Sequence, residues 1–233
     1  VTATSLSILA GFCEDTPITS AAVSCLGSPA RGYVNDVFFL TRSGLPSGMP
    51  FTSQINSLNH MIYFAAAVLK AYMDKGVPYD GNVFDIETVF TYGDDGIYGT
   101  CPATTSVMPD VIANLKKFGL NPTSPDKTDD INPTQVPVFL KRTLVRDGSE
   151  VKALLDVTSL KRQCYWFKSS RTHNPMTPAP IVVEQRTTQL DNMLAYASQH
   201  GPSVFSEIAK LAEHTAGVEG LALMNLNYDH ARA

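Results

Sequence analysis

The sequence predicts a mixed α/β (α+β) chain in two portions, and three observations carry that prediction. Apolar residues recur at helical spacing over several long stretches. Between them lie alternating stretches broken by Asn-Asp, Asp-Asp and Asp-Gly pairs, the pattern of antiparallel hairpins. From about Thr158 onward only helical patterns remain, which divides the chain near 155 into a mixed portion, 1–155, and a mostly helical portion, 156–233.

Each element has a local reason. Leu6, Ile8, Leu9 and Phe12 predict a helix from Ala3 to about Cys13. Pro17 suits the first turn of a second helix, through about Leu26. "RGYVNDVFFL", Arg31 to Leu40, predicts a hairpin with Asn35-Asp36 at its turn. "RSGLPSGMP", Arg42 to Pro50, carries two glycines, two prolines and two serines and predicts a loop. Phe51, Ile55, Leu58, Ile62, Ala65, Leu69 and Tyr72 then share one side of a long helix that Gly76 ends.

Asp85 to Tyr92 reads as a strand that returns over Gly96 to Gly99. Pro109 to Phe118 is amphipathic and closed by Gly119, with Lys116 and Lys117 on its wet face. Val136 to Leu155 alternates as strands about an Asp147-Gly148 turn. Three helices follow: "SLKRQCYWFKSSR", then about Glu184 to Gln199, then Pro202 to Thr215 with Gly217 as the C-terminal cap. The aromatics of the first, Tyr165, Trp166 and Phe167, are expected in the core.

With 44% hydrophobic and 17% charged residues, the 233-residue chain has an ordinary globular composition. A net charge of −4 provides no overall basic field, so any nucleic-acid contact must use local basic patches. Four scattered cysteines form no CxxC pair, which argues against zinc ribbons and redox motifs and for a reducing compartment. The longest apolar run, "MIYFAAAVL", is short of the ~20 residues a bilayer span takes. No signal peptide is visible, and the chain opens at Val1, so it reads as a piece of something longer.

The chemistry concentrates in "VFTYGDDGIYG", Val89 to Gly99, where Asp94 and Asp95 stand side by side between glycines. Gly93 frees the backbone to bend so that neighbouring side chains converge. Two carboxylates aimed at one point are costly unless a cation neutralises them. Hard divalent ions take oxygen ligands, and Mg²⁺ commonly uses one or two carboxylates plus substrate phosphates. A plain Asp-Gly turn is the structural alternative.

Upstream, "SGLPSGMPFTSQINSLNH", Ser43 to His60, joins a glycine-rich loop to a helix on which Thr52, Asn56 and His60 recur every four residues. An amide such as Asn56 both donates and accepts and so suits a ribose hydroxyl, the group that separates RNA from DNA precursors. Thr52 equally suits a helix cap, and His60 a satisfied interior histidine.

"SGLPSGMPFTSQINSLNH", "YGDD", "LNPTSPDKT" and "FLKR" occur in that order and resemble motifs B, C, D and E of the RNA-dependent RNA polymerases of positive-strand RNA viruses. The likeness is strongest to the caliciviruses, where "VPVFLKRTL", "SLKRQCYW" and "LAYASQHG" look most like the sapovirus branch. It covers essentially the whole chain. It implies a right-hand polymerase fold, with 1–155 as later palm, built of an antiparallel sheet and packed helices, and 156–233 as part of a mostly helical thumb.

By this resemblance Asp94 is the metal-binding carboxylate of motif C and Asp95 its less direct companion, both serving Mg²⁺ or Mn²⁺. Ser47, Gly48, Thr52 and Asn56 correspond to positions around the incoming nucleotide. Lys127 matches the motif D lysine that protonates the leaving pyrophosphate, and a solvated turn lysine is its plain alternative. Lys141 and Arg142 of motif E, with Lys161 and Arg162 beyond, are the candidates for RNA phosphates, while the basic residues of the helical part, Lys168 and Arg171 included, equally suit the wet face of an amphipathic helix.

The motif A aspartate pair has no counterpart in this sequence, since Glu14-Asp15 has the wrong spacing and Asp36 sits in a hairpin turn. The expected protein is thus a segment of a polyprotein-borne polymerase, needing motif A and the fingers from the rest of the enzyme. Expected partners are an RNA template and primer, ribonucleoside triphosphates and a viral genome-linked protein, in a replication complex in the host cytoplasm. A reverse transcriptase or a non-catalytic RNA-binding fragment would share the Tyr-x-Asp-Asp turn, but the Ser/Thr/Asn set favours ribonucleotides.

Overall fold

The computed structural model of the chain describes residues 1–41, 45, 48–125, 127–128, 131, 136–167 and 180–232. It is mixed helix and antiparallel sheet, as the pattern predicts, and resolves into two compact units, Val1–Thr134 and Gln135–Ala233.

The first unit opens with α1 (Thr2–Ala10) and α2 (Pro17–Gly27). Thr16 caps α2 by accepting the Thr19 amide, and Pro17 occupies its first turn. Strands β1 (Ala30–Val34) and β2 (Val37–Thr41) form a two-stranded hairpin about Asn35, whose φ of 53° supplies the left-handed turn residue. Tyr33, Val37, Phe38 and Phe39 of this hairpin are exposed, and among the described residues no third strand joins it.

Helix α3 (Thr52–Asp74) is the spine of the unit. Phe64, Ala67, Val68, Ala71 and Tyr72 bury one stripe of it against Val107, Val111 and Leu115. The latter belong to, or immediately precede, α6 (Met108–Lys117), which ends at Gly119 with φ 86°. Between α3 and α6 lie the short helix α4 (Val83–Ile86), strands β3 (Thr88–Tyr92) and β4 (Asp95–Gly99), and α5 (Pro102–Ser106).

The strand expected from Asp85 therefore starts later. Asn82 accepts the Phe84 amide at 2.9 Å and turns residues 83–86 into a helix. Buried Glu87 then accepts from the Cys101 amide, Thr104 and Tyr79, fastening the start of β3 to the start of α5.

The second unit begins with a three-stranded antiparallel sheet, β5 (Val138–Phe139), β6 (Arg142–Asp147) and β7 (Glu150–Leu155), whose β6–β7 turn uses Gly148 at φ 62°. The boundary between the compact units, at 134/135, falls before these strands, and the change of sequence pattern, near 155, falls after them. The reason is local: Asp156 donates its amide to the Lys141 carbonyl and caps α7 (Val157–Tyr165) through the Ser159 amide.

Helices α8 (Pro180–Ser198), α9 (Pro202–Glu219) and α10 (Tyr228–Arg232) complete the unit around Leu160, Cys164, Leu190, Met193, Leu194, Phe205 and Ile208. Helix α9 runs past Gly217, because Gly220, at φ 67°, takes the left-handed cap instead. Buried Arg186 ties three helices. Its guanidinium donates to both carboxylate oxygens of Glu219, at 2.8 and 3.0 Å, and to the Gln163 and Cys164 carbonyls.

Candidate active site

The two aspartates sit at the tip of the β3–β4 hairpin. Tyr92 and Asp95 are the last paired residues, so the loop proper is Gly93-Asp94. Gly93 has φ 65° and Asp94 does not share the left-handed region, the pattern of a type II′ connection. Asp95, expected in the turn, is thus the first ladder residue of β4. Both aspartates are exposed, and neither forms an ion pair with a described lysine or arginine. The tip presents two carboxylates to water with no ion-pair partner among the described residues.

The hairpin is fastened to α3 at three levels. The Gly93 amide donates to Ser57 Oγ at 2.9 Å, and Thr91 Oγ1 donates to the Ser57 carbonyl at 3.3 Å. One helical turn along, the Tyr98 hydroxyl and His60 Nε2 are hydrogen-bond partners. One turn further, the Tyr98 ring stacks on Phe64, centroids 4.3 Å apart. Gly96 is where the β4 backbone passes closest. A Cβ there would lie 2.5 Å from the Tyr98 oxygen and 2.8 Å from His60 Cε1, so only glycine fits.

His60 is the satisfied interior histidine at one nitrogen only. Its Nδ1 is buried with no hydrogen-bond partner of normal geometry. Burial pushes its pKa below the ordinary value, while the Gly93 backbone and the Asp94 and Asp95 carboxylates pull the other way. Burial also pushes the Tyr98 hydroxyl well above its usual range. The pair is therefore a neutral prop behind the acidic tip.

Thr52 and Asn56 fall on the first turns of the same helix. Phe51, at φ 59°, turns the chain into it, and the Thr52 hydroxyl donates back to the Met49 carbonyl. Asn56 is half-buried and makes no hydrogen bond to a described residue, so its amide is open to a ligand. It precedes Ser57, which places it one residue from the hairpin anchor. The structural amide of this helix is Asn59, which bonds Ser5 and Thr2 of α1. Gly48 has φ 84° with open space around it, and Ser47 lies outside the described residues.

Lys127 is exposed at φ 62° in a turn closed by Ser124 and Thr128. No contact joins it to the aspartate tip, and it forms no ion pair among the described residues.

The basic candidates of the second unit differ from one another. Leu140 and Lys141, at φ 51° and 59°, form the tight β5–β6 turn, with Lys141 exposed. Arg142 is engaged within the protein: it donates to the Ala153 carbonyl at 3.1 Å and lies over the Tyr196 ring at 4.9 Å. Lys161 pairs with Glu207 at 2.6 Å. Arg162 is exposed and forms no ion pair with a described residue.

Tyr165 and Trp166, expected in the core, are 70% and 76% exposed. Leu160 and Cys164 already fill the buried stripe of α7, and the helix ends at Tyr165, which leaves Trp166 in extended backbone. Phe167 is half-buried beneath Arg186. Lys168 and Arg171 lie outside the described residues.

Among the described residues no third His, Cys, Asp or Glu joins the aspartates in a metal cluster. The pair nonetheless fits Mg²⁺ or Mn²⁺ by donor type. It offers hard oxygen donors, exposed and uncompensated, and leaves other positions to water, phosphate or further carboxylates. Among the described residues no helix is long and apolar enough to cross a membrane.

The chain is similar to known proteins over most of its length. A family profile described as "Viral RNA-dependent RNA polymerase" matches residues 1–216. The genome polyprotein of vesicular exanthema of swine virus is 47% identical over 227 residues, covering 95% of this chain. The polyprotein of canine calicivirus is 39% identical over the whole chain, and that of a feline calicivirus 40% identical over 99% of it. The chain spans only 12–13% of the length of these relatives.

Proposed function

Since the chain belongs to the family of viral RNA-dependent RNA polymerases, we propose that it is the later palm and part of the thumb of a calicivirus-type enzyme that copies RNA from ribonucleoside triphosphates. Residues 1–155 carry motifs B to E of the palm, and 156–233 contribute to the thumb. The single observation that carries this reading is the joint between two elements: the Asp94–Asp95 tip is clamped onto the helix that bears Thr52 and Asn56. A metal-binding group and a ribose-reading group held by one rigid unit are what template-directed nucleotidyl transfer requires.

Mg²⁺ or Mn²⁺ bound at the tip would supply charge stabilisation at the reacting phosphate and activation of the RNA 3′-hydroxyl. The chain's own residues do the rest. Asp94 presents carboxylate oxygens, with Asp95 beside it steadied in the β4 ladder. Asn56, without a hydrogen-bond partner among the described residues, hydrogen-bonds the ribose hydroxyls of the incoming nucleotide, with Thr52 and the Ser47–Gly48 loop about the same group. Lys127 stands in solvent as the ammonium that meets the departing pyrophosphate. Lys141 and Arg162 meet RNA phosphates, whereas Arg142 and Lys161 act chiefly through the fold.

A complete site takes carboxylates and fingers from the remainder of the polymerase, together with template and primer RNA and a viral genome-linked protein, in a cytoplasmic replication complex. The test uses the full polymerase that carries this segment. Asp94→Asn is expected to abolish primer extension while leaving RNA binding. Asn56→Ala is expected to erode the preference for ribonucleotides over deoxyribonucleotides in direct competition. Extension that survives Asp94→Asn overturns the reading.

A further inference from the structure

Ser57 lies next to Asn56 and matches none of the site positions, yet it is where the catalytic hairpin and the nucleotide helix meet. Its Oγ is 2.7 Å from the Ser53 carbonyl of its own helix and 2.9 Å from the Gly93 amide of the hairpin tip, with the Thr91 carbonyl at 3.5 Å. A serine in mid-helix commonly donates to the carbonyl four residues back, and that bond alone says nothing of function. Here the donation orients the oxygen so that a lone pair faces Gly93. Gly93 is in the left-handed region and buried, and its amide has left the ladder that ends at the Tyr92–Asp95 pair. Ser57 therefore satisfies the one backbone donor whose position decides where Asp94 begins.

We infer that Ser57 is a positioning residue for the metal site: its hydroxyl fixes the Gly93 amide, and through it the direction in which the Asp94 carboxylate leaves the turn. The inference rests on the reading of Asp94 as a metal ligand and extends it. Besides the Ser57 oxygen, the backbone at Gly93 meets the His60 ring. Thr91 is fixed to the Ser57 carbonyl, and the Tyr98–His60 contact acts on the far strand. Without the Ser57 oxygen, the turn would keep its hairpin register but lose its angle to α3. The same link joins metal and nucleotide sites, because any rotation of α3 at Asn56 is delivered to the tip through the adjacent residue.

The test is made on the full polymerase carrying this segment, with Ser57→Ala, Ser57→Thr, Ser57→Cys and Asp94→Asn. Mn²⁺ alone, titrated by electron paramagnetic resonance without RNA or nucleotide, reads the site independently of activity. Loss of the Gly93 bond in Ser57→Ala is expected to weaken Mn²⁺ binding about fivefold, the change that corresponds to a net hydrogen bond of ~1 kcal/mol. It should also lower kcat with little change in the KM for nucleotide. Ser57→Thr, which keeps the hydroxyl, should restore both.

Ser57→Cys keeps the volume but offers a poor acceptor, so it is expected to bind Mn²⁺ as weakly as the alanine variant and serves where alanine does not fold. Mn²⁺ binding in the alanine or cysteine variant equal to that of the parent overturns the inference, as does failure of threonine to restore it. If Asp94→Asn abolishes Mn²⁺ binding while the Ser57 variants bind normally, only the positioning role falls. If Asp94→Asn binds normally, the reading of the metal site falls and the inference with it.

Discussion

The Tyr98 hydroxyl of β4 and the His60 imidazole of α3 are hydrogen-bonded directly behind the hairpin whose tip carries Asp94 and Asp95. Both partners are held neutral by burial, and Gly96 makes room for them. The acidic tip is exposed, but its support is an interior contact with little tolerance.

That closeness sets the response to added volume. Gly96→Ala puts a methyl group against the Tyr98 oxygen and the His60 ring, and overpacking of this kind costs about 1–3 kcal/mol. A thermal melt should show the loss, and Tyr98→Phe in the same background should recover part of it.

The half-buried His60 gives a pH dependence of stability. Its folded-state pKa lies below the ordinary value of 6.5, chiefly from burial. The unfolded chain therefore takes up the proton first. Stability is whole above pH 6.5 and declines as the pH falls through that value towards the folded-state pKa. Melting temperatures measured between about pH 7.5 and about pH 5.5 should fall with acidity, and less steeply in His60→Gln.

In the second unit the fold depends on satisfying one buried cation. Glu219→Ala leaves buried Arg186 with only neutral acceptors; the Glu219 end of the pair is exposed and screened by solvent, so the loss is about 1.5 kcal/mol. Urea unfolding of the polymerase segment should report it as a lower midpoint. Glu219→Gln, which keeps a hydrogen-bonding oxygen, should lose less.

The four basic candidates should separate by salt dependence. Arg162→Ala is expected to weaken RNA binding and reduce the slope of log affinity against log salt by about 1. Arg142→Ala is expected to lower stability through its lost carbonyl bond and Tyr196 contact while leaving that slope unchanged. Filter binding at several salt concentrations, beside a thermal melt, distinguishes the two.

The sequence spoke most clearly where one residue decides the geometry. Asn35, Gly76, Gly119 and Gly148 all take the left-handed backbone their turn or cap positions demand, and Pro17 and Pro202 open helices. The acidic tip was legible for the same reason, since Gly93 must bend before Asp94. It was less legible where a local bond competes with a pattern. Asn82 converted the start of an expected strand into α4, and Gly220 outbid Gly217 for the end of α9. Ser57 gave no signal at all, because its role depends on a partner 36 residues away. Trp166 misled because aromatic character suggests burial, whereas Leu160 and Cys164 had already filled that side of α7.

The hairpin from Ala30 to Thr41 has a practical consequence. Its large side chains face water on both sides of a ribbon that is two strands wide among the described residues, an arrangement that is marginal alone and invites a third strand. In a tube of purified segment, the most abundant supplier of that strand is a sister molecule. Light scattering should therefore climb with protein concentration, and a lysine at Phe38 should quiet it without disturbing the melting of the rest.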